Sequence, residues 1–115
     1  MVRSAVEVFE DHLARALIGD LEGDIAANFA PDCVLLTTYG RHDGHDGVRA
    51  AAAMLARHLP GGRIRYTNRL VHDDVAFLEW TAEAPGVCVR DGTHTLVIRD
   101  GRIEVVTVHY TVTPR

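Results

Sequence analysis

Turn residues divide this chain into a helical half and a strand-rich half, and that order decides its fold class. From residue 63 onward, four β-rich segments (63–72, 75–83, 87–99 and 102–113) are parted only by His72-Asp73-Asp74, Ala84-Pro85-Gly86 and Arg99-Asp100-Gly101. Connections that short join antiparallel neighbours. Asp91-Gly92 interrupts the third of these segments and predicts a bulge or bend. Ahead of them, Val6, Phe9, Leu13 and Leu17 recur at helical spacing over residues 4–18, with Ser4 and Glu7 in a capping-box pattern and Gly19 as the stop. A second helix is expected over 21–29, halted by Pro31 and Asp32, then a short strand over 33–38. GRHDGHDG (40–47) reads as turn formers leading into an Ala-rich helix over about 45–59, which Pro60-Gly61-Gly62 breaks. Helices first and a meander afterwards predict an α+β domain: three N-terminal helices packed on one face of a curved, mainly antiparallel sheet.

The chain has 115 residues, enough for one domain, 1–115, with a core that needs no staple. Its formal net charge of −4 argues against nucleic acid as a partner, because phosphate binding needs a basic face. No apolar run is long enough to span a bilayer, so no membrane partner is expected. The opening MVRSAVEVFEDHLAR mixes acids into its apolar residues and reads as neither signal nor transit peptide. Cys33 and Cys88 lack CxxC spacing and read as reduced, buried thiols of a cytoplasmic protein. The His and Asp residues of 42–47 match no zinc spacing, so no metal site is expected there.

Three segments, GDLEGDIAANFAPDCVL (19–35), GHDGV (44–48) and IRDGRIEVVTVHYTV (98–112), resemble the nuclear transport factor 2-like superfamily, above all its SnoaL-like cyclases and ketosteroid-isomerase-like proteins. The order of elements matches over nearly the whole chain. The resemblance implies that the helices close one end of a cone-shaped pocket whose wall is the concave sheet. Strand alternation then selects the inward side chains. Aligned on the DGRI turn, Val106, Val108 and Tyr110 point in from the last strand, and His94, Leu96 and Ile98 from the one before. Phe77, Glu79 and Thr81 are expected to point in from residues 75–83, with Leu78 and Trp80 outside. A one-residue slip at either hairpin reverses these faces.

Carried over residue by residue, the base Asp of the ketosteroid isomerases falls at Thr37, their oxyanion-stabilising Asp at His94 and their helix Tyr at His12, so none of the three residue types is kept. The resemblance to the cyclases places their strand histidine at His94, whereas their acid/base Asp falls near Val108 or His109. The Asp–Arg–Asp set of the epoxide hydrolases meets Glu79, Thr81 and Val108.

The expected catalytic residues are His94, Glu79 and His12. An imidazole in an apolar pocket, titrating near neutrality, suits general acid/base work, and a buried Glu79 carboxyl would orient it. The plainer alternatives are a His94 satisfied by a neighbouring Thr, a Glu79 facing solvent and a His12 half exposed on its helix. Tyr39, Phe77, Thr81, Leu96, Val106, Val108 and Tyr110 are the expected substrate-binding residues. The expected function is acid/base chemistry of isomerase, cyclase or dehydratase type on a hydrophobic, oxygenated small molecule, with no cofactor. The alternative is a ligand-binding or accessory domain of the same fold. A homodimer is expected through the outer sheet face, anchored by Trp80.

Overall fold

The computed structural model describes residues 2–115. Its elements run α1 (Ala5–Leu17), α2 (Leu21–Asn28), β1 (Phe29–Thr37), β2 (Gly40–Asp43), α3 (Gly44–His58), β3 (Arg63–His72), β4 (Val75–Ala84), β5 (Val87–Arg99), β6 (Arg102–His109) and β7 (Val112–Pro114). Three helices therefore pack on one sheet of order β2-β1-β6-β5-β4-β3, with β7 paired to β5. All pairings are antiparallel except β1 with β6, which are parallel, so the sheet is mixed. Register shifts between Tyr66 and Asn68, between Trp80 and Ala82 and between Val97 and Ile98 fall in adjacent ladders. Bulges bend and twist a strand, and three in neighbouring strands curl the sheet around the helices.

Local chemistry sets the helix ends. Ser4 accepts from the Glu7 amide while the Glu7 carboxylate accepts from the Ser4 amide, the capping box expected from the sequence. Gly19, at φ 74°, takes the left-handed position just past α1. Val8, Phe9 and Leu13 form the buried face of that helix, while Val6 and Leu17 stay exposed. On α2 the inward positions are Leu21, Asp24, Ile25 and Asn28, at i, i+3, i+4 and i+7. Two of those four are polar, which is costly unless they are hydrogen-bonded.

Several boundaries differ from expectation. The first strand starts at Phe29 rather than residue 33, so Pro31 and Asp32 lie inside it as exposed positions. Gly40–Asp43 is a strand of its own, because the turn at Thr38-Tyr39 folds it back onto β1. The last segment is broken after His109, and β7 leaves to pair with Val87–Val89. The bulge expected at Asp91-Gly92 is present: Trp80 pairs with Gly92 but Ala82 with Val89.

The core includes Phe9, Leu13, Ile25, Phe29, Leu35, Leu78, Trp80, Leu96, Ile98, Ile103 and Val106. On β4 the expected faces are exchanged. Ala76, Leu78, Trp80, Ala82 and Ala84 are buried, whereas Glu79 is exposed and Phe77 and Thr81 are half-buried on the outer face. Cross-strand partners share a face, and His94 pairs with Leu78, so an inward His94 requires an inward Leu78. A Cβ on Gly92 would come within 2.3 Å of the Trp80 ring, so the glycine makes room for the indole.

Candidate functional site

Between the helices and the concave sheet lies a cavity of about 490 Å³, within the usual range for small-molecule sites. Its wall is mainly aliphatic and aromatic, from Leu13 and Phe29 through Leu35, Val48 and Leu55 to Leu78, Trp80, Val106 and Val108. Exposed lining residues at the ends of α1 and α3 and the start of β3 (Ala16, Gly19, Ala56, Gly61, Gly62 and Ile64) mark its rim. A larger depression beside Val2, Asp73, Asp74 and Asp100 is an open, polar groove at the N-terminus. It gathers no buried titratable group, and the chemistry lies in the inner cavity.

Two imidazoles reach this cavity. His12 comes from α1, one helical turn past Val8 and Phe9, and its ring stands edge-on to Phe29 at 5.5 Å. Its Nδ1 lies 2.7 Å from Asp24 Oδ2. Asp24 is 3% exposed, and its Oδ1 accepts from Asn28 Nδ2 at 2.9 Å. Asn28, fully buried, also donates to Asp11 Oδ2 and accepts from Arg3 Nη1. Both carboxylate oxygens of Asp24 are thus engaged, and the Nδ1 proton of His12 points at one of them. That leaves His12 Nε2 as the open nitrogen, without a partner among the described residues.

His94 comes from β5 and sits between Leu78 and Val108, its cross-strand partners, with the Trp80 ring 5.7 Å away. Burial first, and the neighbouring His12 second, push its pKa down from 6.5 to about 3. The expectation that His94 titrates near neutrality is therefore corrected: it is a neutral imidazole at pH 7. Its Nδ1 is closed off without a partner. A buried N–H left orphaned is costlier than an unused lone pair, so the proton belongs on Nε2, the nitrogen left open on the cavity side. His94 is built to donate a hydrogen bond.

This shift has a stability consequence. The unfolded chain protonates His94 below about 6.5, whereas the folded chain resists until about 3. Within that window the unfolded state binds the extra proton, so stability falls as pH drops, by up to about 1.4 kcal/mol per pH unit. Urea melts at pH 7 and pH 5 should show a smaller loss for His94→Phe than for the unmutated protein. Parallel losses would contradict the burial of a neutral imidazole.

The other expected site residues divide. Val106, Val108 and Tyr110 line the cavity. Leu96 is fully buried between Ala76 and Val106 as core rather than lining. Glu79, Phe77 and Thr81 lie on the outer face, for the pairing reason given above, and Asn68 Nδ2 donates to the Glu79 carboxylate at 3.1 Å. Glu79 and His94 do not converge. Tyr39 is 46% exposed and stacks on His58 and Tyr110 from outside. Among the described residues no group of three His, Cys, Asp or Glu side chains could hold a metal ion. Nor, among the described residues, is any helix long and apolar enough to cross a membrane.

Reading the sequence alone missed Asp24, Trp80, Tyr66 and His58. Asp24 was detectable as a polar residue, with Asn28, in the inward stripe of α2. Trp80 was detectable in the alternation Ala76, Leu78, Trp80, Ala82, Ala84. Tyr66 donates to the Leu13 carbonyl at 3.0 Å, and burial raises its phenol to about 12.

The profile of the SnoaL-like domain matches residues 6–113. No curated protein sequence matches the chain. Among solved structures, TerC co-crystallised with polyporic acid superposes with TM-score 0.76 at 20% identity, covering 93% of this chain and 91% of that one. A candidate polyketide cyclase from Sinorhizobium meliloti gives TM-score 0.73 at 19% identity, over 89% and 93%. A candidate isomerase of the SnoaL-like family from Agrobacterium tumefaciens gives 0.72 at 17%, over 92% and 96%.

Proposed function

The chain belongs to the SnoaL-like family, and from that premise we propose that it is a small-molecule enzyme moving protons on a hydrophobic, oxygenated substrate in the inner cavity. One observation carries this reading: a half-buried His12, paired with a buried Asp24, opens onto a cavity whose wall is mainly apolar. The carboxylate holds the Nδ1 proton of His12, which leaves the Nε2 lone pair to take a proton from a carbon next to a carbonyl. The imidazolium so formed is stabilised by Asp24. His94, neutral, donates from Nε2 to the substrate oxygen as charge develops there, at a position where a dry wall strengthens the bond. Returning the proton from His12 to a different carbon completes an isomerisation. Giving it to the alkoxide formed when the enolate carbon attacks a second carbonyl completes a cyclisation, and giving it to a hydroxyl as the enolate expels it completes a dehydration, with water leaving. TerC, which has the same fold, was co-crystallised with polyporic acid, which supports a small-molecule ligand here.

The test is deuterium exchange at the α-carbon of propiophenone in D₂O, followed by proton NMR. Catalysed exchange is the expected result. Binding without exchange would favour the second reading, a non-catalytic ligand-binding domain, which the predominantly apolar wall and the neutral Val108 and Thr37 also support.

A homodimer through the outer sheet face belongs to the same proposal. Two rows of cross-strand partners, Leu70–Phe77–Thr95–Thr107–Leu36 and Val75–Val97–Val105–Val34, lie on that face. Leu70, Val75 and Leu36 are strongly exposed. Phe77, not the buried Trp80, is the central anchor. Sedimentation of the unmutated protein should show a dimer and Phe77→Arg should shift it toward monomer; a monomer at high micromolar concentration would end this part of the proposal. With both cysteines free and buried, a reducing, cytoplasmic setting fits.

A further inference from the structure

Tyr110 lines the cavity at 3% exposure, and its hydroxyl lies 2.6 Å from Nδ1 of His58, near the end of α3. Burial first, then Tyr39, raise this phenol to about 12, so it keeps its proton at neutral pH. Of the two groups, a phenol is the better proton donor and an imidazole nitrogen the better acceptor, so the hydroxyl gives its hydrogen to His58. What remains on the Tyr110 oxygen is acceptor capacity alone. The ring cannot swing to change this, because Trp80 packs on it at 5.6 Å, Tyr39 at 5.5 Å and His58 at 5.8 Å. His94 presents the opposite character, a donor. Its cross-strand partner Val108 and, two residues on and past the end of β6, Tyr110 both line this cavity.

We propose that the Tyr110–His58 pair is a specificity element that makes the cavity select a hydrophobic hydroxy ketone in one orientation, carbonyl oxygen on His94 and hydroxyl hydrogen on Tyr110. This rests on the reading of the cavity as a ligand site. A ligand hydroxyl at Tyr110 finds an acceptor, whereas an ether oxygen there meets another acceptor and loses the bond. A para-hydroxyphenyl ketone carries both groups, a carbonyl oxygen and a hydroxyl, at opposite ends of one rigid ring.

The probes are para-hydroxypropiophenone, its methyl ether and propiophenone, with binding read from quenching of Trp80, the single tryptophan. The hydroxyl compound should bind about threefold to tenfold more tightly than either relative. Tyr110→Phe, which keeps the ring, should erase that preference. His58→Leu, at a half-buried position, should shrink it by freeing the Tyr110 hydrogen to turn into the cavity. Equal binding of all three probes to the unmutated protein would overturn the specificity proposal while leaving the ligand site standing. A preference that survives in both variants would also overturn it. Failure of every probe to bind would overturn the ligand reading and the specificity proposal together.

Discussion

Trp80→Ala should destabilise the domain by about 3–5 kcal/mol and leave its oligomeric state unchanged. The indole is 2% exposed and packs against His94 and Tyr110, with Gly92 cleared to admit it. Truncation removes its buried apolar surface and enlarges a cavity whose walls are already held apart, so little collapse offsets the loss. Urea denaturation followed by circular dichroism gives the size of the effect, and sedimentation gives the oligomeric state. A variant within about 0.5 kcal/mol of the unmutated protein, a surface-like value, would mean that the indole is not in the core. Dissociation at unchanged stability would restore it to an outer interface.

Asp24→Asn should leave the fold in place and lower catalysed α-proton exchange by about 10³–10⁴-fold. The substitution is nearly isosteric and can keep the bond to Asn28, but its amide no longer has to accept from His12. With an amide N–H facing Nδ1, the imidazole places its own proton on Nε2 and turns its lone pair away from the substrate. A histidine held in the wrong tautomer by an Asp→Asn change loses about 10⁴ in rate in the best-understood triads. His12→Ala removes the group itself and should cost about 10²–10⁴, whereas Glu79→Gln, on the outer face, should cost nothing. Equal exchange rates in the unmutated protein and Asp24→Asn would remove the pair from the mechanism.

How much was legible in the sequence can be judged from particular residues. The α+β order, the capping box at Ser4 and the bulge near Gly92 depend on local chemistry, and local chemistry is written along the chain. The inward faces of β5 and β6 followed from a single turn alignment. β4 did not, because its face is fixed by pairing Leu78 with His94, although the alternation from Ala76 to Ala84 already favoured burial of Leu78 and Trp80. His12 and His94 were recognisable as candidates from type and position. Their roles were not, since these depend on what surrounds each ring: a carboxylate from α2 at one, and at the other an apolar wall that leaves Nδ1 unpartnered. Asp24 and His58 act across helix-to-helix and helix-to-strand contacts that no local pattern announces.

The central claim is a division of labour between two imidazoles, one that exchanges protons and one that stays neutral and donates. Long-range proton–nitrogen NMR of the histidine side chains, recorded across a pH titration, tests it directly. His12 in its neutral form should carry its proton on Nδ1. His94 should hold a single tautomer, with its proton on Nε2, throughout the folded range down to about pH 4, since its pKa lies at about 3. A His94 that titrates near 6.5, or that carries its proton on Nδ1, would contradict the account.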